Sequence, residues 1–153
     1  MERSSETCLV TSLVPGKRIE LQSAAVESWK NYGFDIVSLN TQEEIDKLTG
    51  HFTKITFIPQ LRDGRIIAGK PVIYINNILD YLKGSRYQFC GIVNSDIYFS
   101  PGYKLKDHIE TMANSSLVIS PRTDVSNFYE AEGIVDPLGF DAFFFDRTFL
   151  PIW

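Results

Sequence analysis

Short apolar runs alternate along the chain with stretches in which apolar residues recur every three or four positions. The run TCLVTSLV (7–14) is rich in β-branched and apolar residues and stops at Pro15-Gly16, which predicts a first strand. In the next segment Leu21, Ala25, Trp29 and Tyr32 fall on one face of a helix, with Gly33 placed to end it. FDIVSLN (34–40) reads as the second strand. TQEEIDKLTG then opens with Thr41 and has Glu44 three residues on, the spacing of a capping box. FTKITFIP (52–59) is the third strand, closed by Pro59. After turn chemistry at Asp63-Gly64, Pro71 suits the first position of a helix with Val72, Ile75, Leu79 and Leu82 as its apolar stripe and Gly84 as its end. YQFCGIVN (87–94) is the fourth strand. A helix over about 104–114 turns Leu105, Ile109 and Met112 inward. SLVIS (116–120) is a fifth strand stopped by Pro121, residues 122–139 read as a loop, and FDAFFF (140–145) is the last strand.

Strands and helices in alternation predict an α/β fold of Rossmann-like, three-layer αβα type, with a mostly parallel central sheet flanked by helices. The first and fourth strands are apolar on both faces, as buried parallel strands are. With no repeat or linker, the 153 residues suit a single domain over 1–153. DRTFLPIW (146–153) follows the last strand without a closing helix, so the chain reads as a minimal domain or the N-terminal part of a longer enzyme.

Composition removes several classes of function. With 44% apolar and 22% charged residues the chain is not of the disordered type. A net charge of −4 leaves no electrostatic footprint for nucleic acid. No apolar run is long enough to cross a bilayer and no signal-peptide core is visible, so a cytoplasmic location is expected. Cys8 and Cys90 lie inside apolar strands and are expected as buried thiols, without the spacing of a zinc site.

In an open α/β sheet, ligands bind beyond the carboxyl ends of the parallel strands. There the first strand brings Thr11, Ser12, Leu13 and Val14, the second Ser38 and Asn40, and the fourth Asn94, Ser95 and Asp96. A phosphate-binding GKS/T loop, a GxGxxG turn and a G-x-S-x-G elbow are all missing. A polar strand tip ending in Asp96 suits a hard cation, Mn²⁺ or Mg²⁺, which takes few carboxylates and completes its shell with water and phosphate oxygens. Such a metal would neutralise a diphosphate leaving group. Arg62, Arg65, Lys70 and Arg86 are candidate phosphate partners, with Lys70 the best placed. Read without chemistry, Asn94 and Asp96 shape a turn through side-chain-to-backbone bonds.

TSLVP, SWKNYGFDIVSLN, KPVIYINNILDYL and GIVNSDIYF, in that order, resemble the nucleotide-diphospho-sugar transferases of the GT-A fold, and the resemblance spans roughly residues 7–146. It implies a glycosyltransferase that moves a sugar from a nucleotide-diphosphate donor to a glycan, lipid or protein acceptor with a divalent metal. In that family the first two strand ends hold the nucleoside, and a D-x-D element after the fourth strand holds ribose and, through the metal, the sugar diphosphate. The matching residues are Asn94-Ser95-Asp96, so Asp96 stands at the metal-binding carboxylate and Asn94 replaces the first acid. The resemblance thus implies a donor site of Thr11, Ser12, Leu13, Asn40, Lys70, Asn94, Ser95 and Asp96. GIVDPLGFDAFFFDR resembles the segment beside the acceptor site, which makes Asp141 the candidate general base, with Glu130, Glu132 and Asp136 as outsiders. A non-catalytic nucleotide- or protein-binding module is the alternative. A nucleotidyltransferase would need a basic, Gly-rich loop after the first strand, of which VPGKR (14–18) is a poor version.

Overall fold

The first strand of the computed structural model, β1 (Thr7–Thr11), is buried at every position, because it lies between two layers of helices at the centre of the sheet. The structure describes residues 6–130 and 132–150. In chain order β1 is followed by α1 (Ile19–Asn31), β2 (Asp35–Asn40), α2 (Gln42–Leu48), β3 (Thr56–Pro59), α3 (Arg65–Ala68), α4 (Ile75–Lys83), β4 (Phe89–Val93), α5 (Leu105–Ala113), β5 (Leu117–Asp124) and β6 (Ile134–Asp146). A 3-10 turn, Arg147–Phe149, follows β6. The sheet order is β3-β2-β1-β4-β6-β5. β3, β2, β1 and β4 pair in parallel, and β6 runs antiparallel between β4 and β5.

Alternation along β1 builds two cores. Leu9 faces Trp29, Leu48, Ile109 and Phe144 on the side of α1, α2 and α5. Cys8 and Val10 face Ile78, Leu82, Cys90 and Phe145 on the side of α4. The expected three-layer α/β architecture is therefore present, and both cysteines are buried free thiols. The capping box of α2 forms with both of its reciprocal bonds. Gly33 ends α1 with φ 81°, a conformation that side chains other than hydrogen rarely adopt.

Several details differ from the sequence pattern. Leu21 is 44% exposed, whereas Gln22 is buried beside Ala25, Val26 and Trp29. The polar Gln22 belongs to the inward face because its amide accepts from the Val14 N–H and donates to the Val14 carbonyl, both at 2.8 Å. The helix predicted from Pro71 starts at Ile75. The Val72 carbonyl accepts the Gly64 N–H at 2.7 Å, so it is engaged in a turn instead of a helical bond. Val72 and Ile75 are exposed, and Ile78 and Leu82 are the buried pair of α4. On α5, Met112 points outward and Ala113 takes its place beside Ile109. Pro121 does not stop β5: the register shifts on both sides of it, and that irregularity lets the strand run on to Asp124. Much of the predicted 122–139 loop is consequently a two-stranded ribbon formed by β5 and the start of β6. In the tail, Leu150 packs into the α4-side core, and residues 151–153 lie outside the described residues.

Candidate functional site

The chain leaves β1 through α1 toward β2 and later returns through α4 to β4 on the other flank of β1. The carboxyl ends of β1 and β4 thus frame a topological switch point. A cleft of about 1140 Å³ opens there, bordered by Thr11 and Ser12 after β1 and by Asn94, Ser95 and Asp96 after β4. Lys70 and Arg65 border it from the α3 segment, and Ile78, Ile92 and Phe143 form part of its apolar wall.

The wall behind the cleft is a closed polar network. The Leu13 N–H donates to Ser38 Oγ at 3.0 Å, Ser38 Oγ donates to Asn40 Oδ1 at 2.6 Å, and Asn40 Nδ2 donates to the Leu13 carbonyl at 2.7 Å. Asn40 Nδ2 also approaches Glu44 Oε2 at 3.2 Å, an oxygen that accepts the Thr41 N–H at 3.1 Å. Buried polar groups are stable only when paired, and this network pairs them by tying β2 to the turn after β1. Asn40 and Leu13 are fully buried, so they hold the wall without bordering the cleft. Thr11 differs: it borders the cleft, and its buried Oγ1 has no hydrogen-bond partner among the described residues.

Asp141 also stays out of the cleft lining. One carboxylate oxygen accepts the Asn94 side-chain amide, and the other meets Arg122 Nη1 at 2.8 Å. Arg122 further reaches Asp124 at 2.8 Å and Asp136 at 3.1 Å. The bonds to Asp141 and then Asp124 push the guanidinium pKa above its usual value. A Cβ at Gly139 would lie 2.8 Å from Asp136 Oδ2 and 3.1 Å from Arg122 Cζ, so a side chain there would have to displace these ends of the ion-pair cluster. Glu130 is turned to Ser126 and Asn127, and Glu132 is exposed. Arg86 sits beside Asp35 at the amino-terminal end of β2, the end of the strands opposite this site, and Arg62 does not border the cleft.

Asp96 meets Arg18 Nη1 at 3.0 Å. Beside the main cleft a smaller recess of about 260 Å³ is bordered by Lys17, Arg18, Gln22, Ser95 and Asp96. Lys17 and Arg18 enter the sequence reading only within VPGKR, as a poor phosphate loop, and are not named there as site residues. Arg122 had no local signal, because its partners are brought to it only by the ribbon. For a divalent cation the donor set is poor. Asp96 is the one acid of its triplet and carries an arginine, Asn94 presents its amide N–H to Asp141, and no group of three His, Cys, Asp or Glu converges among the described residues. These residues do not fit a resident metal ion of the expected kind.

No protein-family model matches the sequence, and no curated protein is similar to it. Solved structures do share its architecture. A 4-diphosphocytidyl-2C-methyl-D-erythritol synthase from Anaerococcus prevotii superposes with a TM-score of 0.53 at 11% identity, over 93% of this chain and 70% of that one. A protein described as a glucose-1-phosphate thymidylyltransferase from Bacillus anthracis, solved with sucrose, gives 0.55 at 12%, over 93% and 72%. The bifunctional IspDF of Campylobacter jejuni gives 0.53 at 9%, over 94% and 42%. At such low identity the likeness concerns the fold alone, an α/β fold with a central sheet flanked by helices, as the order of strands and helices in the sequence implied.

Proposed function

We propose that this chain is a cytoplasmic transferase domain that binds a nucleotide-diphosphate sugar at the β1/β4 switch point and passes the sugar to a glycan, lipid or protein acceptor. The observation that carries this reading is the cleft of about 1140 Å³ at the carboxyl ends of β1 and β4, bordered by Thr11, Ser12, Ser95, Asp96 and Lys70, where open α/β sheets bind their ligands. Thr11 and Ser12 would meet the nucleoside, and Asn40 and Leu13 would hold the wall behind them. Ser95 and Asp96 would lie beside ribose and diphosphate. Lys70, exposed at the cleft, would neutralise phosphate. In the transfer, the bond from the anomeric carbon to the diphosphate oxygen breaks as the acceptor hydroxyl oxygen bonds that carbon and gives up its proton. Asp141 serves as the base only if an acceptor displaces Asn94 or Arg122 from it, whereas positioning Asn94 needs no displacement. No helix among the described residues is long and apolar enough to cross a membrane, which accords with an acceptor met from the aqueous side.

Isothermal titration with UDP, GDP, CDP, ADP and dTDP tests the reading. Micromolar binding of one of them, weakened by Thr11→Val, is the expected result, and no binding by any sinks it. Nucleotidyl transfer is the second reading, favoured by the recess that Lys17 and Arg18 border beside Asp96. Product analysis separates the two: sugar transfer releases a nucleoside diphosphate, and nucleotidyl transfer releases pyrophosphate. A chain that binds but never turns over is the non-catalytic module.

A further inference from the structure

We infer that the diphosphate of the ligand is held by Arg18 and Lys17 and needs no divalent metal, an inference that rests on nucleotide binding at this cleft. Arg18 Nη1 lies 3.0 Å from Asp96 Oδ2, at the carboxylate where the sequence pattern expects a cation. The guanidinium thus stands in the position of the metal's charge. Its side chain is 71% exposed, so an exposed ion pair of little strength is all that holds it, and it is free to turn from Asp96 to an incoming phosphate.

The turn that presents Arg18 is firmly built. Gln22 clamps both backbone groups of Val14, and the Arg18 carbonyl accepts the Gln22 N–H at 3.0 Å. Gly16 sits at φ 122°, a backbone conformation that keeps the turn tight and that a residue with a Cβ rarely adopts. Lys17 and Arg18 therefore project from a fixed base into the recess of about 260 Å³ that shares Val14, Pro15, Ser95 and Asp96 with the main cleft. Two cations and one carboxylate border this recess, which leaves it positive before any ligand arrives. A divalent cation entering it meets like charge and must also displace Arg18 from its single carboxylate. A diphosphate meets opposite charge and a guanidinium whose planar donors match its oxygens.

The test uses the full chain and titrates the nucleoside diphosphate that it binds, once in EDTA and once in Mn²⁺. The expected affinities agree within about twofold, and Arg18→Ala weakens diphosphate binding by about tenfold or more. The same variant leaves binding of the parent nucleoside, which has no phosphate, unchanged, and Arg18→Lys recovers part of the loss. Binding seen only with Mn²⁺, or an Arg18→Ala variant with unchanged diphosphate affinity, overturns the inference while leaving the cleft's nucleotide role intact. A chain that binds no nucleoside diphosphate under either condition overturns both.

Discussion

Asn94 and Asp141 are joined twice across the β4/β6 pair: the Asn94 backbone N–H donates to the Asp141 carbonyl at 3.0 Å, and its side-chain amide donates to the Asp141 carboxylate. The amide at the first position of the D-x-D-like triplet therefore has a structural reason. An aspartate there would set a second carboxylate against Asp141 and remove the donated bond.

Restoring the family-like acid is thus expected to fail. Asn94→Asp should destabilise the domain by about 1–2 kcal/mol through the lost bond and like-charge contact, read as a lower Tm. It should not create metal-dependent nucleotide binding. The double variant Asn94→Asp with Asp141→Asn, which reverses donor and acceptor, should recover part of the loss, as directly coupled residues do. A Tm for Asn94→Asp equal to that of the parent chain would sink this account.

Thr11 makes opposite demands on stability and on binding. Its Oγ1 is buried and partnerless, so Thr11→Val should leave the ligand-free domain equally stable or stabilise it by about 1 kcal/mol. The same variant should weaken nucleotide affinity severalfold. Chemical denaturation and calorimetric titration of one preparation give both numbers, and a loss of stability together with unchanged affinity would contradict the assignment.

Asn40 couples the cleft wall to the core. Asn40→Ala strands the Leu13 carbonyl and leaves Ser38 without its acceptor. A loss of about 1–3 kcal/mol follows from unpairing buried polar groups. Binding should fall as well, because the turn that carries Ser12 loses its Asn40 bond to β2 and keeps the weaker hold of Ser38. Urea denaturation is the measurement, and a change below about 0.5 kcal/mol, the scale of an ordinary surface substitution, would show that the network is dispensable.

Much of this arrangement was legible because it is local in sequence. The Thr41–Glu44 capping box, the apolar β1 and β4, and the polar residues at their carboxyl ends all follow from spacing within a few positions. What escaped depends on distant partners. Gln22 reads as a polar surface residue until the Val14 backbone is found against it. Arg122 reads as loop until the ribbon brings Asp124, Asp136 and Asp141 around it. Pro121 reads as a strand stop until the shifted register absorbs it. Asp96 lay between these cases. Its place at a strand tip was visible, but its arginine partner arrives from 78 residues away in the chain.

Gly91 marks a tight contact inside the sheet. A Cβ there would lie 2.5 Å from Leu9 Cδ2 and 2.9 Å from Phe144 Cδ1. Leu9 can shift a methyl group, but the Phe144 ring packs against Phe99 and has less freedom. Gly91→Ala is expected to cost about 1–3 kcal/mol by overpacking, seen as a lower urea midpoint. A stabilised variant would mean that the core between β1 and β6 is looser than these distances indicate.

Alkaline pH should weaken the fold through its two thiols. Burial is the main cause that raises both: it pushes Cys90 up to about 12 and Cys8 higher still. A thiol in the unfolded chain loses its proton near pH 8.5. Between the unfolded and folded values the native state therefore binds more protons than the unfolded state, so stability falls as pH rises. Below that window the contribution is constant. Denaturation midpoints measured from pH 7 to 10.5 should decline above about pH 8.5, and the decline should be shallower in Cys8→Ala, compared with that variant's own value at pH 7. The same burial predicts that iodoacetamide at pH 8 labels neither thiol in the native protein and labels both in urea. Rapid native labelling of Cys8 would show that the α4-side core opens far more readily than its packing indicates.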